Sequence, residues 1–298
     1  MKILAHHDAD GITTAYFTQF EYGESEIIFP ETFGDVKKFK KGDIMVDMRP
    51  TSPDIEGIVI DHHLPHPEER KYKLIQADYP ASLIAWEQFK DKIPETEWWK
   101  LEIGLGGDGA LHLTPPIIFQ KCPLLLKHVK TSSYYQYSKL RINTIPIYKE
   151  LSSAINCFLR KSEFDTALNL MKYADNPLTL VTSEDVKLAK ADIKNEFTSI
   201  VRDMETIEFG NLIVIIFQSK YRMTGYIASA LSNVFNSKTI LSIDTRTGSL
   251  SLRGDLALYY KDLLKKLPYL DIDGHPGFMG GKIHKNINKL ISDLDAVL

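Results

Sequence analysis

The stretch AHHDADGITT, residues 5–14, follows the short apolar run Ile3-Leu4-Ala5 and crowds two histidines and two aspartates into five positions. Two carboxylates one residue apart repel each other unless a cation or solvent separates them. Taken alone, the stretch reads as a polar turn with Asp10 capping a helix ahead of Ile12 and Thr13, or as a metal site. Its neighbours along the chain separate the two. KILAH reads as a strand and Thr13–Phe20 as a helix; SEIIF, DIMVDM and GIVIDHH are further short apolar runs. Helices follow over Ala81–Phe89 and ahead of LEIGLGGDGAL. Short apolar strands interleaved with helices predict an α/β domain with a mainly parallel sheet. In such sheets the ligand site lies beyond the carboxyl ends of the strands. His6 to Asp10, Asp47, and Asp61 to His63 all follow strands at that end. Asp47 alone could be a turn residue, and Asp61-His62-His63 a polar strand end. Their convergence from separate strands favours the metal site.

The rest of the composition narrows the class. The chain has 298 residues, 44% hydrophobic and 25% charged, as expected of a folded protein with one large or two ordinary domains. Its two cysteines, Cys122 and Cys157, support neither a disulfide framework nor a structural zinc site and suit a reducing compartment. MKILAHHDAD does not read as a signal peptide, and no stretch approaches the ~20 apolar residues of a membrane span. A cytoplasmic protein with no membrane association is expected. The net charge of −3 argues against adhesion to nucleic acid through a large positive field. A nucleic-acid enzyme remains open, because bound cations would offset clustered aspartates. The basic groups at Lys37-Lys38-Phe39-Lys40-Lys41 and at Lys261, Lys265 and Lys266 read as solvated faces.

Three regions are expected: an α/β core over 1–113, a helical linker over 114–205, and a smaller C-terminal α/β domain over 206–298. Pro115-Pro116 breaks the first pattern, TSSYYQYS follows, and helices are expected over Tyr148–Phe158, Phe164–Ala174 and Ser183–Met204. In the last region NLIVIIF, KTILSID and SLSLRG read as strands, Gly225–Asn236 and Leu256–Leu267 as helices, and DGHPGFMGGKI as a glycine-rich loop.

Carboxylates with imidazoles and no thiolate suit Mn²⁺, Mg²⁺ or Zn²⁺, the oxygen-preferring ions ahead. His6, Asp8, Asp10, Asp47, His62 and Asp108, the last from the turn Gly106-Gly107-Asp108-Gly109, suffice for two ions sharing a carboxylate. Such a pair, about 3.5–4 Å apart, can clamp an in-line phosphoryl displacement.

HHDADG, VDMRP, IDHH and GGDG, in that order, resemble the four motifs of the DHH phosphoesterase superfamily. The resemblance implies that His6 and Asp8 hold one ion and Asp10, His62 and Asp108 the other, with Asp47 bridging. It implies that His63 faces the scissile phosphate and that Asp61 supports the histidines, with His7 peripheral. The C-terminal region resembles the substrate-binding domain associated with the nuclease branch. Ser251 and Arg253 match its phosphate-contacting strand, and Gly274, His275 and Gly277 its glycine–histidine loop. Phe278-Met279 stand where that loop usually has small residues. Asn156 and Arg160 match a linker segment of RecJ-like exonucleases. The implied function is a manganese- or magnesium-dependent phosphodiesterase, most closely a RecJ-like exonuclease of DNA repair acting on single-stranded DNA or RNA or short oligonucleotides. Tyr134, Tyr135 or Tyr137 could stack bases, though they read first as core tyrosines. The alternatives are a small-nucleotide phosphatase, a cyclic-dinucleotide phosphodiesterase, and a scaffold for replication or repair proteins. An inorganic pyrophosphatase ranks below these.

Overall fold

The computed structural model describes residues 1–30, 39, 41–50, 52–63, 66–130, 144–235, 238–275, 278–284 and 286–297, without the side chains of Asp273, His275, Phe278 and Val297. Two compact units divide the described residues between Lys190 and Ala191.

The first unit opens with β1 (Lys2–Ala5), α1 (Ala9–Tyr22), β2 (Glu26–Ile28), β3 (Asp43–Val46), β4 (Gly57–Ile60) and β5 (Lys73–Ile75). The strands form an all-parallel sheet in the order β2-β1-β3-β4-β5. β3 is buried along its whole length and β1 from Ile3 onward, which is why both read as unbroken apolar runs rather than alternating ones. α1 is buried from Ala9 through Thr18. Its threonines are tolerated there because Thr13, Thr14 and Thr18 donate back to the carbonyls of Ala9, Asp10 and Thr14 at 2.7–2.8 Å.

Next come α2 (Ala81–Phe89), α3 (Leu101–Gly107), α4 (Pro116–Lys121), a two-stranded pair β6 (His128–Lys130) and β7 (Thr144–Pro146), then α5 (Leu151–Arg160), α6 (Phe164–Tyr173) and α7 (Pro177–Thr182). The unit boundary falls inside α8 (Glu184–Asp203).

The second unit continues with β8 (Glu205–Phe209), β9 (Leu212–Phe217), α9 (Thr224–Ser232), β10 (Thr239–Asp244), β11 (Ser249–Arg253), α10 (Ala257–Leu264), β12 (Leu270–His275), β13 (Phe278–Ile283) and α11 (Ile287–Val297). Its sheet runs β12-β13-β11-β10-β9-β8, with only β9 and β10 parallel. Leu212, Val214, Leu241, Leu252, Leu264, Met279 and Leu290 belong to one core against it.

The α/β reading holds in both units, with three differences. The sequence predicts a loop over DGHPGFMGGKI, whereas β12 and β13 pair antiparallel there. Its glycines serve close strand approach, since a Cβ on Gly281 would lie 1.9 Å from the Asp271 carbonyl oxygen. β5 and β8 lie at sheet edges, where charged and half-exposed residues hide the strand pattern. The helical region also contains the β6–β7 pair, which proline and lysine disguise.

Candidate metal centre

Three strands of the first unit each end in a site residue, and each such residue hooks onto the next strand. His6 N–H donates to the Val46 carbonyl at 3.2 Å, Asp47 N–H to Ile60 at 2.8 Å, and Asp61 N–H to Ile75 at 3.2 Å. The parallel register thus sets β1, β3 and β4 side by side with their acids and imidazoles at one edge. Asp47 has a left-handed backbone, φ 55°, a conformation that aspartate tolerates better than most residues but that still costs energy.

The loop after β1 turns directly into α1. Asp8 is the N-cap, accepting from Gly11 N–H at 2.9 Å; Asp10, the residue that could have capped, sits in the first turn. A Cβ at Gly11 would lie 2.3 Å from the His6 carbonyl oxygen, so only glycine lets the helix start this close. Asp10 is fully buried and spans to α2, accepting from Ala81 N–H at 2.8 Å and Ser82 N–H at 3.0 Å. Those are donors that a helix start leaves unpaired. Asp108 stands at the C-cap of α3 rather than in an isolated turn. α3 reaches the site on glycines: a Cβ on Gly104 would meet Ser82 Oγ at 2.3 Å, and one on Gly107 would meet Ala9 Cβ at 2.8 Å.

The six side chains come together. His6 Nδ1 lies 2.6 Å from Asp8 Oδ2 and 3.4 Å from Asp47 Oδ2. His62 Nε2 lies 3.1 Å from Asp47 Oδ1, 3.5 Å from Asp108 Oδ2 and 4.0 Å from Asp10 Oδ2. Asp47 therefore turns one oxygen toward His6 and Asp8 and the other toward His62. The sets His6–Asp8–Asp47, Asp10–His62–Asp108 and Asp47–His62–His63 each bring their ligand atoms within 4.8 Å of one another.

The electrostatics suit a cation. Burial pushes the Asp47 carboxyl well above its usual range, and the charges of Asp8 and Asp10 push it further. Burial and then Asp10, Asp47 and Asp8 raise Asp108 to about 9. Burial also raises Asp10, with His62 and Ser82 opposing and Asp8 adding to the shift. Burial alone would depress His6, but Asp8 and Asp47 outweigh it and hold the imidazolium well above its ordinary value. Burial likewise works against the Asp8 carboxylate, yet His6 and Gly11 N–H bring it below the usual carboxylate range. Protons shared among crowded carboxylates occupy the place a divalent ion takes. His6 Nδ1 and Asp47 Oδ1 are buried, and their short contacts to Asp8 and His62 lack good hydrogen-bond geometry. Oxygen and imidazole donors converging in this way fit Mn²⁺ or Mg²⁺.

Asp61 is fully buried behind this edge. Its Oδ1 accepts from His63 Nδ1 at 2.6 Å and from the backbone N–H groups of His62 and His63 at 2.9 and 3.2 Å. Its Oδ2 accepts from His66 Nε2 at 3.1 Å. Burial would raise Asp61, but the bonds from His63 and His66 win and bring it below the usual range. Sequence alone does not single out His66 or Tyr72; only the fold joins them to Asp61. His7, expected to be peripheral, has its ring 4.7 Å from that of His6 and 6.3 Å from that of Phe164, which stacks on Phe29 at 5.0 Å.

The remaining residues singled out by sequence are carried by other elements. Asn156 and Arg160 are one turn apart on α5, which packs against α3 and α1. Ser251 and Arg253 are on β11 of the second unit. Ser251 Oγ donates to the Met279 carbonyl at 3.0 Å, and Arg253 Nη1 donates to the Leu252 and Met279 carbonyls at 2.9 and 2.7 Å. Burial lowers the Arg253 guanidinium to about 10. Gly225, in the first turn of α9, passes so close that a Cβ would lie 3.4 Å from Arg253 Nη2. Gly274 has φ 138°. Gly277, the His275 side chain and Tyr134, Tyr135 and Tyr137 lie outside the described residues. Among the described residues no helix is long and apolar enough to cross a membrane.

No protein-family model and no curated protein matches the chain. Solved structures do. Manganese-bound RecJ from Thermus thermophilus matches with a TM-score of 0.69 at 15% identity, over 99% of this chain and 50% of that one. The chain thus spans half the length of that RecJ. A manganese-bound exonuclease RecJ matches at 0.65 and 15% identity, over 99% of this chain and 88% of that one. The DHH domain of a member of the s1p family of ribosomal proteins matches at 0.60 and 15% identity, over 99% and 85%. These matches show that the chain shares the fold of RecJ and of that DHH domain, the fold that its four motifs led one to expect.

Proposed function

We propose that the protein is a metal-dependent phosphodiesterase, specifically a RecJ-like exonuclease of single-stranded nucleic acid or short oligonucleotides. The observation that carries this reading is Asp47, whose two oxygens face two separate ligand sets. His6 and Asp8 would hold one divalent ion, Asp10, His62 and Asp108 a second, and Asp47 both; Mn²⁺ is the proposed ion, with Mg²⁺ second. When bound, such ions supply Lewis acidity toward a phosphate ester and its leaving oxygen.

The chain's own residues do the rest. Asp61 holds the His63 ring by Nδ1, and Nε2 is the atom proposed to face the phosphate and, once it has taken up a proton, to donate to a phosphate oxygen. Asp10, Asp47 and Asp61 are buried, which strengthens the interactions that they make. The ring row His7–Phe164–Phe29 beside His6 supports a substrate that carries bases, since stacking tolerates any sequence. In the second unit, Arg253, Ser251 and the Gly274–Gly277 stretch are proposed to hold a phosphate, as a buried guanidinium fork suits one. Asn156 and Arg160 are proposed to brace the substrate strand.

The test incubates end-labelled single-stranded DNA, RNA and dinucleotides with the protein in Mn²⁺ or EDTA. Shortening from an end in Mn²⁺ and none in EDTA is expected. Asp47→Ala should cost more than the roughly 10–100-fold typical of outer partners. Hydrolysis in EDTA, no hydrolysis at all, or full activity of Asp47→Ala would sink the reading.

A further inference from the structure

We propose that His66, backed by Tyr72, is a positioning residue for His63 and acts through Asp61. The proposal rests on the phosphodiesterase reading for its consequence but on hydrogen-bond geometry for its substance. The His66 side chain is 2% exposed and lies among groups that leave it one arrangement. Its Nε2 is 3.1 Å from Asp61 Oδ2, and its Nδ1 is 3.0 Å from the Tyr72 hydroxyl.

Proton accounting fixes the direction of each bond. Asp61 as a carboxylate only accepts, so His66 Nε2 carries the proton and donates. Nδ1 of the neutral ring then holds a lone pair, and the Tyr72 O–H donates to it. Both ring nitrogens then have a partner. Tyr72 is itself fixed, packed with Met45 and Val59 of β3 and β4, and its ring meets His66 edge-on at 5.9 Å. The chain Tyr72–His66–Asp61–His63 thus runs from the core to the proposed phosphate-facing ring.

What His66 adds is control of the carboxylate plane. Asp61 Oδ1 serves three donors on one side: the N–H groups of His62 and His63 and the His63 ring. Those three leave the carboxylate able to pivot about its own axis. A donor on Oδ2 removes that freedom, and with it the freedom of His63 to turn its ring or exchange its Nδ1 proton for one on Nε2. An outer partner of this kind typically contributes 10–100-fold. A buried histidine that merely fills space would contribute to stability alone.

Two substitutions separate the roles. His66→Leu keeps volume and removes the donor; His66→Gln keeps a donor at the Nε2 position. His66→Leu should lower kcat about 10–100-fold with KM within about 2-fold, and His66→Gln should restore kcat to within about 3-fold of the original. Long-range ¹H–¹⁵N NMR of the metal-free protein at fixed pH should show His63 as the Nδ1–H tautomer in the original and in His66→Gln, and a mixture in His66→Leu. If His66→Leu does not fold, Tyr72→Phe carries the NMR test, with a measurable shift toward the Nε2–H tautomer expected. An unchanged tautomer in the folded variant, or equal loss of kcat in His66→Leu and His66→Gln, would overturn the proposal. A protein that hydrolyses none of the oligonucleotides would instead sink the phosphodiesterase reading, while the tautomer measurement still decides the role of His66.

Discussion

Glu102 shows how one buried side chain can set a pH dependence. It is fully buried on α3, and Thr114 Oγ1 lies 2.9 Å from its Oε2 and 2.8 Å from the Leu111 carbonyl oxygen. One hydroxyl proton cannot serve both acceptors. The Thr114 bond favours the Glu102 carboxylate, but burial outweighs it and raises the pKa from 4.5 to about 8. Between those two pH values the folded protein holds a proton that the unfolded chain has released. Stability from this residue is therefore full below the lower value and is lost as pH rises, by about 1.4 kcal/mol per unit through the window. Glu102→Gln keeps the shape and removes the titration. Denaturant melts at pH 5.5 and 8 should show a smaller difference for Glu102→Gln than for the original protein; equal differences would mean that Glu102 is not protonated in the fold.

At the level of elements, α3 is the informative one, because LEIGLGG is a poor helix by propensity, glycine costing about 1 kcal/mol each in a helix interior. The glycines at 104 and 107 give that up so that the helix can touch Ser82 and Ala9, which carries Asp108 to 3.5 Å from His62. Gly107→Ala should retain the fold yet displace Asp108, weakening Mn²⁺ binding by about 10-fold, as a disturbed ligand shell does. Titration calorimetry reads this directly, and unchanged affinity would show that α3 can yield without moving its end. The same helix explains what was legible. β1, β3 and β4 announce themselves because a buried parallel strand must be apolar throughout and the site must begin where it stops. Asp47 and Asp108 were visible through that rule and through the glycine run. β5 and β8 were not, since edge strands such as Lys73–Ile75 and Glu205–Phe209 expose half their residues. Nor were the contacts of His66 with Asp61 and Tyr72, which exist only in three dimensions.

Considered as a whole, the molecule has a first unit that collects all six proposed ligands and a second that carries Arg253 on a separate core. A ligand that binds only the folded first unit stabilises it by mass action, about 2.7 kcal/mol at a hundredfold excess over Kd. Hydrogen exchange should therefore slow in β1 and β3 when Mn²⁺ is added and recover with EDTA; exchange that ignores Mn²⁺ would argue that the acids do not bind it. One contact bears on how such a centre comes to exist. Asp10 is gripped at both oxygens by the first amides of α2, and this hold needs no ion. The backbone thus fixes one corner of the proposed centre without a cation. Loading of the proposed ions would then be a filling step rather than a folding step.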